Sequence, residues 1–260
     1  MTWNDMPPSW YEHYERGRPS YPPKAVEVAG LPSSATVLDL GAGTGKLTRL
    51  LLSTFVRVVA VEPDDEMRRL LAALCPMAEA LAGSAEQIPL PDASVDAVFA
   101  AQSFHWFANE RALAELARVL RPHGALILMW NLPAGPTEPS IAAVEQLLEP
   151  HWPKGWDFPL DLGLSRSGGG SGDWRLAFAG SAFDELQEFR LSNPQMVDPE
   201  GLVAFFGSMG WIASLPNEER LPLLDRVRSL LTADEYRVPW ETHVSWTRLA
   251  EPHAAVPSCP

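Results

Sequence analysis

Cysteines, basic residues and long apolar runs are all scarce in this sequence, and each scarcity argues against a class of protein. Only two cysteines occur in 260 residues, Cys75 and Cys259. They form neither a CxxC pair nor a metal-ligand spacing, so we expect neither a disulfide framework nor a metal site. We expect Cys75 to be buried in the core.

Lysine and arginine are outnumbered by acidic residues. The chain has 20 Lys and Arg against 33 Asp and Glu, which gives a formal net charge of −13. Nucleic-acid binding draws most of its affinity from basic side chains at phosphates, and no basic cluster is visible. We therefore expect no nucleic-acid partner.

No apolar run reaches the length that spans a membrane. The first residues are polar, acidic and aromatic, without the basic and apolar segments of a secretory signal. We therefore expect a cytoplasmic protein without a membrane partner.

Short apolar runs alternate with helical segments in the first half of the chain. Continuous apolar runs, as opposed to alternating ones, are typical of strands buried on both faces of a parallel sheet. The pattern predicts strands at Thr36–Leu40, 56–61, 77–82, Val95–Ala101 and 125–130. An amphipathic helix that Asn109 caps is expected between the last two. Strands that alternate with helices predict a doubly wound α/β sheet.

The amino-acid composition changes after Asn131, where Pro, Gly and Trp become frequent. A flexible loop is expected at 165–172. Further elements follow: a strand at 186–191, helices at 199–206 and 217–231, and a last strand at 238–249. Some of the many later tryptophans are candidates for the roof of an apolar acceptor pocket.

A glycine-rich loop, GAGTGK, follows the first strand. A phosphate-binding P-loop needs G-x-x-x-x-G-K-[ST], but Leu40 stands at the first glycine position and Leu47 at the hydroxyl position. A dinucleotide loop needs G-x-G-x-x-G, and the third glycine comes one residue early. Neither a triphosphate nor a pyrophosphate ligand fits the pattern.

Two carboxylates flank this loop. Asp39 stands at the end of the first strand, where it opposes a pyrophosphate and suits a cationic group. Glu62 ends the second strand, about twenty residues after the loop, where an acidic residue accepts hydrogen bonds from ribose hydroxyls. The pattern therefore predicts an adenosine-like ligand with a positive charge, a description that S-adenosylmethionine fits.

The chain resembles class I S-adenosylmethionine-dependent methyltransferases, specifically the type-11 methyltransferase domain. Five motifs carry the resemblance over about residues 36–131: VLDLGAGTGKLT, VAVEP, GSAEQIPLP, VDAVFAAQSFHWF and LRPHGALILMW. It implies a Rossmann-like sheet of seven strands, mostly parallel, with an antiparallel last strand. YEHYERGRPSYP and QSFHWF further resemble a subgroup that includes trans-aconitate methyltransferases and fungal thiol methyltransferases acting on small metabolites.

The resemblance implies a set of residues that hold the methyl donor: Tyr14, Arg18, Asp39, Gly41, Ala42, Gly43, Glu62, Pro63, Ser84, Ala85, Glu86, Ala101 and Gln102. The glycine loop and Ala101–Gln102 face the methionine part, Glu62 faces the ribose, and 84–86 border the adenine. The family often has Asp where this chain has Ser84, which implies a weaker contact to the adenine amine. Tyr14 and Arg18 are expected to close over the donor carboxylate.

Phe104, His105 and Trp106 are expected to contact the acceptor. His105 either positions the acceptor or takes its proton, since an unperturbed imidazole does both near neutral pH. The alternatives are that His105 is structural, that the neighbouring aromatic rings are core, and that Tyr11, Tyr14 and Tyr21 only pack a helix onto the sheet.

We predict four segments: an N-terminal helical lid (1–31), a donor-binding core (32–132), an acceptor cap (133–180) and the completion of the α/β core (181–260). The predicted function is methyl transfer from S-adenosylmethionine to a small-molecule acceptor (O, S or carboxylate), as a monomer or homodimer. The alternatives are methylation of RNA or protein, a non-catalytic donor-binding protein, and a nucleotide hydrolase.

Overall fold

The computed structural model describes residues 7–135, 138–152 and 174–250. The loop expected at 165–172 and Cys259 lie outside this range. The strands of the described residues are β1 Thr36–Leu40, β2 Arg57–Val61, β3 Glu79–Leu81, β4 Val95–Ala101, β5 Leu120–Pro133, β6 Gln187–Ser192, β7 Gln195–Val197, β8 Tyr236–Val238 and β9 Trp240–Arg248.

One seven-stranded sheet dominates the fold, in the order β3-β2-β1-β4-β5-β9-β6. Strands β1 to β5 are parallel, and β9 runs antiparallel between β5 and β6. The expected Rossmann-like sheet with an antiparallel last strand is therefore confirmed. β7 and β8 form a separate two-stranded ribbon.

The helices are α1 Pro8–Gly17, α2 Lys46–Thr54, α3 Asp65–Leu74, α4 Glu110–Val119, α5 Pro139–Leu148, α6 Pro199–Gly207, α7 Gly210–Ala213 and α8 Asn217–Leu230. Side-chain caps begin three of them. The side chain of Asn109, as expected, accepts a hydrogen bond from the Ala112 N–H at 3.0 Å at the start of α4. Such caps satisfy backbone donors that a helix leaves unpaired.

The apolar runs are buried on both faces of the sheet. Leu38 belongs to one core cluster with residues of β2, β4 and β5, while its neighbour Val37 belongs to the cluster on the other face. All five residues of β1 are buried. This two-sided burial explains why the strands read as continuous apolar runs. Cys75 is buried as expected.

A third apolar cluster joins α5 to α6, α7 and α8, with Val144, Phe206, Ile212 and Val227 among its members. Helix α5 belongs to the expected cap and the other three to the segment 181–260, so these two segments share a core. The division into four segments remains a prediction. Among the described helices, none combines the length and apolarity that a membrane-spanning segment needs.

Candidate active site

Two adjoining cavities lie where β1, β2 and β4 end, the edge at which open α/β sheets bind ligands. One has a volume of about 270 Å³ and the other about 250 Å³. Both are lined by Tyr14, Gly41, Gln102 and Trp106. The expected donor-binding residues divide between the two cavities, so the sheet brings this predicted set together.

The glycine loop turns between β1 and α2 with a left-handed backbone. Gly43 has φ +59° and Gly45 has φ +89°, conformations that favour glycine. A Cβ on Gly45 would also lie 2.7 Å from Cys75 Sγ. The turn directs the N–H of Gly43 at Glu62 Oε2, at 2.8 Å, and so joins the loop to the end of β2.

Asp39 is buried in the larger cavity with one carboxylate oxygen unused. Its Oδ2 accepts a hydrogen bond from Thr48 Oγ1 at 2.6 Å. Its Oδ1 is buried and has no partner among the described residues. Burial raises the pKa of Asp39 to about 7. An unpaired buried carboxylate oxygen is costly, and a cationic ligand that donates hydrogen bonds would satisfy it.

Glu62 lines the smaller cavity and is fixed by two backbone N–H groups. Besides the bond from Gly43, its Oε1 accepts a hydrogen bond from the Asp64 N–H at 2.9 Å. Burial raises its pKa, although these two bonds oppose the shift. A carboxylate has about four lone-pair positions, so both oxygens can accept further bonds from a ligand's hydroxyls.

The expected adenine segment lines the same smaller cavity. Ser84, Ala85 and Glu86 lie there together with Pro63. Glu86 Oε1 accepts a hydrogen bond from Asn109 Nδ2 at 3.1 Å, which ties this segment to the start of α4.

Arg18 supplies a cation to the larger cavity. Its Nε donates to Ser208 Oγ at 2.8 Å and a terminal nitrogen donates to the Ser208 carbonyl at 3.0 Å. The guanidinium also lies over the rings of Tyr14 and Phe205. Among the described residues no carboxylate pairs with it, so its remaining donors can bind a ligand anion.

The segment that carries Arg18 is anchored at Ser20. The carbonyl of Ser20 accepts hydrogen bonds from Asn131 Nδ2 at 3.0 Å, Asn193 Nδ2 at 2.7 Å and Gln195 Nε2 at 2.9 Å. Asn131 lies near the carboxyl end of β5 and is fully buried. The N-terminal segment is thereby held near the carboxyl end of β5.

His105 lies on a short 3-10 helix, Phe104–Trp106, just after β4 and lines the larger cavity. Burial lowers its pKa to about 4. The imidazole is therefore neutral near neutral pH and a weak proton acceptor, because general bases work best with a pKa near the working pH. Of the two expected roles for His105, this environment favours positioning over proton transfer.

The two aromatic neighbours of His105, Phe104 and Trp106, differ in how deeply they are buried. Phe104 is completely buried in the core, where it packs edge-on against Phe107 and Trp174, and it lines neither cavity. The structure thus places Phe104 among the rings of Phe107, Trp174 and Phe178 and outside both cavities, so it does not support the expected acceptor contact. Trp106 is 55% exposed and lines both cavities.

Several cavity residues were not among the expected site residues: Lys46, Met209, Gly210 and Trp211. Helix α7 supplies the last two, and its short sequence carries no motif. The many tryptophans in the later part of the sequence were the one signal that pointed to such residues. Trp211 does line the larger cavity, whereas Trp174 and Trp240 are buried in the core.

A family model described as a methyltransferase domain matches residues 38–128, which include the glycine loop, Glu62 and His105. An uncharacterised methyltransferase of Mycobacterium tuberculosis is 42% identical over 219 residues, which cover 84% of this chain and 82% of the relative. This chain belongs to the methyltransferase domain family. It is a class I methyltransferase, a family that implies S-adenosylmethionine as the methyl donor.

Two further comparisons agree with this methyltransferase assignment. A malonyl-[acyl-carrier protein] O-methyltransferase of Methylococcus capsulatus is 41% identical over 101 residues, 36% of this chain and 37% of that protein. A solved structure from Anaeromyxobacter dehalogenans, described as a type II methyltransferase, superposes with a TM-score of 0.65 and 25% identity. It covers 90% of this chain and 99% of its own.

Proposed function

We propose that this methyltransferase binds S-adenosylmethionine across its two cavities and methylates a small-molecule acceptor at oxygen, sulfur or a carboxylate. The observation that carries the proposal is the unpaired, buried Oδ1 of Asp39 in the same cavity as the cation of Arg18. An amino acid zwitterion offers the opposite charges to both groups.

The described residues fit the donor part by part. Asp39 would accept from the α-ammonium and Arg18 would donate to the α-carboxylate. Glu62, on the smaller cavity, would accept from the ribose hydroxyls, and the segment 84–86 would border the adenine. The arrangement opposes a pyrophosphate, because two buried carboxylates lie beside the glycine loop.

When bound, S-adenosylmethionine supplies an activated methyl group, which an acceptor lone pair attacks in line as the carbon–sulfur bond breaks. The protein's task is then alignment and exclusion of water. Such orientation supplies roughly 7–11 kcal/mol in well-aligned reactions. Asp39, Arg18 and Glu62 would fix the donor, while His105 and Trp106 would position the acceptor beside it.

The enclosure of the larger cavity favours a small acceptor. Trp10 and Tyr14 of α1 cover it from one side, and Gly210 and Trp211 of α7 from another. The net charge of −13 disfavours RNA. The relative from Methylococcus is named for an O-methyltransfer to a carrier-bound malonyl group, so acyl thioesters of acids belong in an acceptor screen.

Calorimetric titration with S-adenosylmethionine, Mg-ATP and NAD tests the proposal. We expect saturable one-site binding of S-adenosylmethionine alone, weakened in Asp39→Asn. Acceptor screening would then follow release of S-adenosylhomocysteine from acids, thiols and alcohols. Binding of Mg-ATP or NAD without binding of S-adenosylmethionine would overturn the proposal.

A further inference from the structure

A hydrogen bond joins two buried rings behind the larger cavity. Trp130 Nε1, on β5, lies 3.3 Å from His105 Nδ1. Trp130 is 2% exposed and His105 is 8% exposed. An indole nitrogen only donates, so His105 Nδ1 must be the acceptor and carries no proton. The single ring proton of neutral His105 is therefore on Nε2.

The same contact disfavours the protonated ring. An imidazolium has an N–H at both nitrogens, so its Nδ1–H would face the N–H of Trp130 and leave a buried donor unsatisfied. Burial acts in the same direction, and it lowers the pKa of His105 to about 4. Both effects favour the neutral Nε2–H form.

Trp130 is itself held firmly. Its ring stacks on Trp174 with 4.7 Å between centroids and an interplanar angle of 30°. Trp174 is fixed in turn by edge contacts with Phe104 at 5.7 Å and Phe178 at 6.1 Å. These contacts keep the indole N–H directed at His105, because a close-packed core does not let a large ring turn freely.

The other nitrogen of His105 is available to a ligand. His105 lines the larger cavity together with Asp39 and Arg18. No described residue accepts a hydrogen bond from Nε2, while Nδ1 is occupied by Trp130. The ring thus presents one donor to the cavity and keeps its acceptor turned away.

We propose that Trp130 is a positioning residue, which fixes His105 as the Nε2–H tautomer so that His105 offers the acceptor a hydrogen-bond donor and no base. The inference rests on the proposed function for its meaning in the reaction. Of the two roles considered for His105, it assigns the positioning of the acceptor and excludes the removal of its proton.

Among the described residues that line the cavity, no other group is placed to act as a base in place of His105. Asp39 is assigned to the donor ammonium, and Arg18 is a cation. Burial lowers the pKa of Lys46, but Glu15, whose Oε1 lies 3.9 Å away, favours its charged form. Burial raises the pKa of both phenols, Tyr14 and Tyr21, so they stay neutral. We therefore expect acceptors that lose their proton before they bind, such as carboxylates and thiolates, in preference to alcohols.

Nitrogen NMR of the protein with isotope-labelled histidine tests the proposal, with S-adenosylhomocysteine bound. Long-range proton–nitrogen spectra at about neutral pH distinguish the two tautomers and the imidazolium. The spectrum of His105→Gln identifies the His105 signals. We expect the Nε2–H pattern in the wild type and a mixture of tautomers in Trp130→Phe. Trp246→Phe, a strand tryptophan on the opposite face of the sheet, should keep the wild-type pattern.

An Nδ1–H pattern or an imidazolium for His105 in the wild type would overturn the proposal, and this result needs a variant only for the assignment of the signals. An Nε2–H pattern that survives in Trp130→Phe would remove Trp130 as its cause. Titration of the unliganded protein with S-adenosylmethionine tests the proposed function separately from the tautomer assignment. Absent donor binding with an intact Nε2–H pattern counts against the proposed function and leaves the tautomer assignment standing.

Discussion

Glu15 of α1 accepts a hydrogen bond from Thr44 Oγ1 of the glycine loop at 2.5 Å and pairs with Arg49 of α2 at 2.7 Å. The N-terminal helix is therefore attached directly to the loop that, in our proposal, holds the methyl donor. Because its other side packs on α6, with Gly17 against the backbone of Phe205, α1 bridges the two halves of the site.

We expect Glu15→Ala to loosen α1 from the loop. A hydrogen bond to a charged group contributes roughly 1.5–3 kcal/mol, and a half-exposed ion pair adds little. The expected result is roughly tenfold weaker binding of S-adenosylmethionine and faster amide exchange in α1. Glu12→Ala, exposed on the same helix, is the control and should change neither quantity. Equal amide exchange in both variants would refute the attachment.

Asp39→Asn removes the charge that faces the donor ammonium in our proposal. We expect the affinity for S-adenosylmethionine to fall by at least tenfold, since the loss of a charge-assisted bond costs roughly 1.5–3 kcal/mol. Asp65→Asn, an acid that is 92% exposed on α3, serves as the control. Calorimetry on both variants decides the matter, and equal affinities would exclude Asp39 from donor binding.

The stability of the unliganded protein should depend on Asp39 through pH. Burial raises the pKa of Asp39 to about 7, so between about 4 and 7 the folded state binds more protons than the unfolded state. The free energy of unfolding therefore falls as pH rises through this window. Asp39→Asn carries no such carboxyl and lacks this contribution.

Urea unfolding at about pH 5 and about pH 8 measures this effect. We expect Asp39→Asn to gain on the order of 2 kcal/mol relative to the wild type between the two pH values. The difference between Asp65→Asn and the wild type should stay constant. A constant difference for Asp39→Asn as well would show that the carboxyl is not desolvated.

Arg18→Ala should weaken S-adenosylmethionine roughly tenfold by removing the guanidinium that faces the carboxylate. The decarboxylated form of the donor isolates this contact, because it has no carboxylate to lose. We expect the variant to bind the two ligands with similar affinity, while the wild type prefers the complete donor. Arg16→Ala, whose exposed side chain pairs with Asp198, is the matched control. A wild type without a preference would assign the carboxylate to another residue.

The strands were predictable because a strand buried on both faces appears in the sequence as a continuous apolar run. Thr36–Leu40 and Val95–Ala101 match the expected bounds, and only β5 is much longer, since it begins at Leu120 directly after α4. Apart from Thr36, Asp39 and Asn131, the buried positions of β1 to β5 are apolar, and that pattern needs no tertiary information.

The acceptor side of the site was less predictable. Trp211 reaches the cavity through the packing of α7 against α6, a contact that leaves no periodic pattern in the sequence. Phe104 and Trp106 flank His105 on one 3-10 helix, yet Phe104 is completely buried and Trp106 is 55% exposed. The residues that we propose for the donor could be predicted to lie together, because the glycine loop and the strand ends fix their positions locally.

The three amides that hold Ser20 have a consequence for synthesis. They lie 111, 173 and 175 residues further along the chain, so they emerge from the ribosome long after Ser20 does. A nascent chain of 150 residues already contains the glycine loop and Glu62, but it lacks two of the three anchors. We expect the proposed donor pocket to stay open until translation has passed Gln195, so that the segment around Ser20 settles only after these later amides have been made.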